Sequence, residues 1–129
     1  DRSLKFHYTI DEEKKKKKSN VLLLSSVIQY FENPYELITE CLKYEFDFII
    51  VDRTAFLKSS KERITIQIVP EDIYKASYPA WFLNEQKFVN AFIGRYSLLD
   101  EFDSKFDPIE PLDDDVLSYR KGFVFKKNK

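Results

Sequence analysis

Methionine is absent from this chain, and glycine occurs at two positions only, Gly94 and Gly122. The first absence implies that Asp1 is not a natural translation start, so the expectation is a piece of a longer protein. The second excludes, within these residues, a glycine-rich loop of the kind that cradles phosphates or a dinucleotide. A single cysteine, Cys41, excludes an internal disulfide and suits a reducing compartment. With His7 as the one histidine, no zinc-binding pattern can be written. An excess of one charge is lacking too. The 21 basic and 22 acidic residues leave a net charge of −1, which supplies no general field for nucleic acid or anionic lipid. No apolar run reaches the roughly 18 residues that a membrane span needs, and no signal peptide is visible. The expectation is a soluble, cytoplasmic protein with neither a membrane nor a nucleic-acid partner.

What is present points to one folded α/β domain. With 129 residues, 43% of them hydrophobic and 16% aromatic, the chain can bury a core but is too short for two ordinary domains. The apolar run Val21–Leu24 opens a stretch ending at Phe31, and it reads as a strand buried on both faces of a helix-covered parallel sheet. Ser25, Ser26, Gln29 and Tyr30 then fall where that strand ends, the side of an open α/β sheet on which ligands bind. Asn33-Pro-Tyr-Glu36 is a helix start, with Asn33 as cap, Pro34 at the first helical position and Glu36 placed for a capping box. Tyr35, Ile38, Cys41 and Leu42 recur at helical spacing, which makes Cys41 a core residue rather than a nucleophile. Phe46–Val51 is a second buried strand that ends at Asp52-Arg53-Thr54. Strand, helix and strand together form a parallel crossover unit. The neighbours Asp52 and Arg53 read equally as a salt bridge or as ligand-facing groups.

Outside this unit, Leu4–Ile10 alternates apolar and polar residues like a half-buried strand, with His7 on its solvated face. In Asp11–Lys18 acids precede lysines, the order that suits a helix dipole, and no aromatics interleave the lysines as a nucleic-acid patch would require. Arg63–Pro70 sets Ile64, Ile66 and Ile68 against Thr65 and Gln67, and Pro70 ends it, as in an edge strand or an extended arm. The aromatic stretch Ile73–Phe82 is either a lid, with Tyr78 and Trp81 as walls, or a loop anchored in the core. Asn84 caps a helix to about Tyr96, and Ser97–Asp103 with Leu117–Lys126 closes the chain as an antiparallel pair. Asp107–Asp115 is an exposed acidic connection between the two.

The order of these elements, together with the S-x-x-Q-Y of Ser26–Tyr30, the D-R-T of Asp52–Thr54 and the S-Y-P-x-W of Ser77–Trp81, resembles the C-terminal portion of a family of predicted class I S-adenosylmethionine-dependent methyltransferases. Members of that family are associated with bacterial surface-glycan or secondary biosynthesis loci. The resemblance runs from about Leu4 to Lys126. It implies that Leu4–Ile10 is the third strand of a Rossmann-like sheet, Val21–Leu24 the fourth and Phe46–Val51 the fifth, with the last two strands as a terminal antiparallel hairpin. It also implies that Ser26, Gln29 and Tyr30 face S-adenosylmethionine, and that Arg53, Gln67, Tyr78 and Trp81 face a small-molecule acceptor. Asp52, Tyr78 or His7 would serve as the base where the acceptor must lose a proton. The donor's glycine turn is missing from these residues, so the chain alone is expected to be inactive and the parent protein to be the enzyme. Without the preceding strands the fourth strand has an unpaired apolar edge, which either Leu4–Ile10 or a second copy would cover. The competing expectation is a non-catalytic interaction module built on half of such a fold.

Overall fold

The computed structural model describes residues 4–16, 19–105 and 107–129. It is an α/β structure whose main sheet is mixed. Strand β1 (Val21–Ser25) leads through a 3-10 turn (Ile28–Tyr30) and helix α2 (Pro34–Leu42) to β2 (Phe48–Leu57), and a short helix α1 (Ile10–Lys16) precedes them. Next come β3 (Arg63–Ile68), β4 (Ser77–Phe82), helix α3 (Glu85–Asn90), β5 (Tyr96–Asp103), the two-residue β6 (Glu110–Pro111) and β7 (Leu117–Lys127). The main sheet is ordered β1-β2-β7-β5, with β6 on the same flank of β7, and β3 and β4 form a separate two-stranded hairpin. The β1–β2 pair is parallel, joined by α2 as the crossover unit requires. The final strand β7 inserts between β2 and β5 and runs antiparallel to both.

The main core lies on one face of this sheet, and a smaller buried cluster of Ala55, Leu57 and Phe82 lies on the other. Leu24, Ile49, Val51, Phe56, Phe123 and Phe125 meet Ile38, Cys41 and Leu42 of α2, together with Phe88 of α3 and Phe92 just beyond it. Aromatic rings fill the centre of the main core. Phe92 and Phe125 stack with centroids 4.0 Å apart, and Phe56 meets Phe88 and Phe123 edge to face at 5.3 and 5.9 Å. Such contacts add to what burial of area alone supplies. Tyr96, 1% exposed, donates its hydroxyl to Phe46 O at 2.6 Å, so even the polar end of this core is satisfied. Burial, with the Glu40 carboxylate adding to it, pushes the Cys41 thiol up to about 11, so this buried group stays a protonated thiol that serves as packing.

Several expectations change. Residues 4–9 are not a strand: the chain enters α1 at Ile10, and Phe6 and Tyr8 are almost fully exposed. Alternation without a neighbouring strand to pair with gives no ladder. The segment therefore does not cover β1, which is an edge strand rather than one buried on both faces. Val21 and Leu23 are exposed, and only Leu24 is buried. The second strand does not stop at Val51 but continues through Asp52 and Arg53 to Leu57. At Asn33 the cap is a backbone one: its carbonyl accepts from Glu36 N and Leu37 N, no side-chain cap forms, and the capping box is not made. Asn84 does cap α3, with Oδ1 accepting from Lys87 N at 2.9 Å, but the helix is short and Gly94 at φ +111 turns the chain into β5. Lys17 and Lys18 of the lysine run lie outside the described residues; Lys14–Lys16 end α1 as the dipole reading expects.

Between Val51 and Thr54 the register against β7 slips by one residue, from Val51 opposite Phe123 to Thr54 opposite Lys121. Asp52 and Arg53 thus share a single partner position, Gly122, and Arg53 adopts φ +50. This is a one-residue bulge, which bends a strand and increases its twist. Beyond it the flank vacated by β1 is taken over by the end of β4, since Leu83 N donates to Ala55 O and accepts back, through its carbonyl, from Leu57 N, both at 2.9 Å. A Cβ at Gly122 would overlap ring atoms of Phe102 and come within 2.9 Å of Val51 O. The ring can rotate; the carbonyl belongs to the ladder and cannot. Gly122→Ala is therefore expected to destabilise the fold by about 1–3 kcal/mol, the usual range for overpacking, as measured by urea denaturation.

Candidate functional site

The bulge sits beside the C-terminal end of β1, where Ser25 pairs with Asp52 and Ser26 N donates to Asp52 O at 3.0 Å. Ser26 has φ +54, a turn conformation that redirects the chain into the 3-10 turn. That turn carries Gln29 inward and Tyr30 outward. Gln29, 1% exposed, donates Nε2 to Arg53 O at 3.0 Å and so clasps the bulge from the β1 side. Its Oε1 and the hydroxyl of Thr54 are buried with no partner among the described residues. Tyr30 meets Tyr78 of β4 edge to face at 5.5 Å, which ties the β3–β4 hairpin to the turn after β1.

Asp52 and Arg53 do not pair with each other through their side chains. Asp52 Oδ1 accepts from Arg53 N at 2.7 Å and from Ser104 Oγ at 3.2 Å. The Arg53 guanidinium turns instead to Asp107, whose two oxygens it meets at 2.9 Å each. This bidentate geometry holds the Asp107 carboxyl below the usual carboxylate range, with Arg120 adding to the effect and partial burial opposing it. Asp52, Arg53, Phe102, Ser104 and Asp107 line a shallow cavity of about 390 Å³. A second cavity, about 460 Å³, lies between the hairpin and β7 and is lined by Thr65, Gln67, Phe82, Ser118 and Arg120. Arg120 stands 5.7 Å over the ring of Phe82 and is close enough to influence both Tyr78 and Asp107. The Tyr78 phenol is held above its ordinary value by burial and by the Tyr30 and Tyr74 phenols, and Arg120 only partly offsets this. At neutral pH it is a hydroxyl that donates and accepts, not a phenolate base.

The structure thus brings together Ser26, Gln29, Tyr30, Asp52, Arg53 and Tyr78, and places Gln67 opposite Tyr78 on β3. Trp81 is three residues beyond Tyr78 and so on the other face of β4. Its indole donates to Glu32 O at 3.3 Å, beside Tyr35, Glu62 and Lys87. His7, in the segment before α1, is joined to the cluster by no hydrogen bond or ion pair among the described residues. Sequence reasoning missed Ser104, Asp107 and Arg120. Asp107 lies in the acidic connection read as solvent-facing, and nothing local marks one acid of that run as the partner of an arginine 54 residues earlier.

Comparison of the chain with family models, curated proteins and solved structures gave no match. Among the described residues no helix is long and apolar enough to cross a membrane, and no cluster of His, Cys, Asp and Glu has the makings of a metal site.

The Arg53–Asp107 pair generates a pH dependence with a definite sign. Asp107 has its folded-state value lowered, so its contribution is present above the unfolded carboxyl value of about 4. It is lost as the pH falls through the lower folded value. Arg53→Gln is therefore expected to unfold more easily than the wild type at neutral pH, and the two denaturation midpoints should converge under strongly acidic conditions.

Proposed function

We propose that this chain is the acceptor-side half of an S-adenosylmethionine-dependent methyltransferase, a small-molecule enzyme whose donor site is completed by other parts of the parent protein. One observation carries the reading. Three stretches far apart in sequence, Ser26–Tyr30, Asp52–Thr54 and Ser77–Tyr78, converge where the parallel strand β1 ends. They are the same stretches that carry the resemblance, and the C-terminal ends of parallel strands are where open α/β sheets bind ligands. A parallel pair followed on the same sheet by a terminal antiparallel hairpin agrees with it as well.

In this reading Ser26, Gln29 and Tyr30 border the donor. Gln67, Tyr78 and the Arg53 region face the acceptor, with Thr65 and Arg120 from the second cavity beside them. Methyl transfer is an in-line substitution that depends on positioning first, and these residues orient the acceptor and exclude water. Where the acceptor must lose a proton, Asp52 is the base better placed than His7 or Tyr78. It is half-buried at the cavity wall, and its Oδ2 accepts no hydrogen bond among the described residues. Trp81, on the opposite face of β4, supports the hairpin rather than the acceptor.

A second reading, a non-catalytic interaction module on the same half-fold, is favoured by the lack of any glycine-rich turn in the chain. Calorimetric titration of S-adenosylmethionine and S-adenosylhomocysteine into residues 1–129 and into the parent protein separates the two. Binding by the parent protein and none by residues 1–129 is the expected outcome. No binding by either would remove the methyltransferase reading and leave the interaction module.

A further inference from the structure

The β3–β4 hairpin has an outer edge that its own geometry prepares for pairing. Val69 N donates to Ala76 O at 3.0 Å, in the same register that sets Gln67 opposite Tyr78, Thr65 opposite Ala80 and Arg63 opposite Phe82. Antiparallel ladders alternate hydrogen-bonded and non-bonded pairs, so the backbone groups of Arg63, Thr65 and Gln67 point toward β4. Those of Ile64, Ile66 and Ile68 point the other way, to an edge that no described strand covers. The side chains of the same three residues are 51%, 66% and 78% exposed. Natural edges are usually blunted by charge, proline or a bulge; within β3 none of these interrupts the isoleucines.

We propose that this edge is a homodimer interface, in which β3 of two copies pairs antiparallel about a twofold axis at Ile66 to make one four-stranded sheet from two hairpins. The occupant is a second copy because the edge is complementary to itself. With Ile66 on the axis, Ile64 faces Ile68 of the partner subunit and Thr65 faces Gln67 of the partner subunit. Lys61, exposed just before β3, comes opposite Glu71 of the partner subunit, and symmetry repeats the contact at the other end. Neighbouring registers are worse. A shift of one residue would offer backbone groups already bonded to β4. A shift of two sets an isoleucine against Pro70 in one direction and against Glu62 in the other. Self-complementarity of this kind is what an isologous twofold contact requires. The interface leaves the cluster at the end of β1 accessible, since Tyr78 and Gln67 lie on the opposite face of the hairpin from the isoleucines.

Sedimentation equilibrium of the chain over a wide range of concentration tests the proposal. The wild type is expected to be a dimer. Ile66→Lys, which opposes two like charges across the axis at an exposed position, is expected to be a monomer with an unchanged far-ultraviolet circular dichroism spectrum. Lys61→Glu and Glu71→Lys are each expected to weaken the dimer, and the double variant to restore it. Leu23→Lys, on β1 at one exposed edge of the main sheet, is expected to leave the dimer intact. A strictly monomeric wild type would overturn the proposal. So would a dimer that survives Ile66→Lys, one that is lost in Leu23→Lys, or a double variant no better than the single ones.

Discussion

The one-residue bulge of β2 against Gly122 is the constraint on which the rest of the structure depends. A single strand has to serve two neighbours in succession on one flank, β1 as far as Asp52 and the end of β4 from Ala55 onward, while keeping β7 on the other flank throughout. The extra residue at Asp52–Arg53 allows this by changing the direction of the strand where the change of neighbour occurs. It is possible only because the facing residue has no side chain, which lets Val51 O and the Phe102 ring close over that point. One of the two glycines of the chain is spent here, and the other turns the chain out of α3.

The candidate site inherits its geometry from that bulge. The left-handed conformation at Arg53 directs its carbonyl to Gln29 and its guanidinium to Asp107, so one residue joins the turn after β1 to the connection between β5 and β7. The Asp52 side chain, held by Arg53 N and Ser104, is fixed at the wall of the resulting cavity. Tyr30 and Tyr78 then fasten the hairpin across the top. No part of this cluster is assembled by one segment alone. A chain that lost the bulge would turn Phe56 to the other face of β2, away from Phe88 and Phe123, and would lose the centre of the aromatic core together with the site.

How much of this was legible follows from how local each signal is. The β1-α2-β2 crossover unit, β3, the cap at Asn84 and the β5–β7 pair rest on short-range patterns and are all present, although β2 runs past Val51 to Leu57 and the helix after Asn84 ends at Asn90. The strand assigned to residues 4–10 fails because alternation states a preference without supplying a partner to pair with. The apolar run of β1 looked buried on both sides, yet among the described residues helices cover one face of the sheet only. The bulge left no mark because Asp52 and Arg53 read as the end of a strand, and the Gly122 that permits it lies 70 residues away. The isoleucine face of β3 was correctly separated from Thr65 and Gln67, but its outward orientation depends on how the hairpin docks, through Leu83 and Phe82, onto β2 and the second face of the sheet.

Nuclear Overhauser contacts across the β2–β7 ladder, together with those between the aromatic rings, test the central claim most directly. If the bulge organises the molecule, the cross-strand contacts pass from Val51–Phe123 to Thr54–Lys121 with Asp52 and Arg53 sharing Gly122, and the Tyr30 and Tyr78 rings are in contact. An unbroken register, with Asp52 facing Gly122 and Arg53 facing Lys121, would contradict the account, and the separation of the Tyr30 and Tyr78 rings that should accompany it would leave the candidate site unassembled.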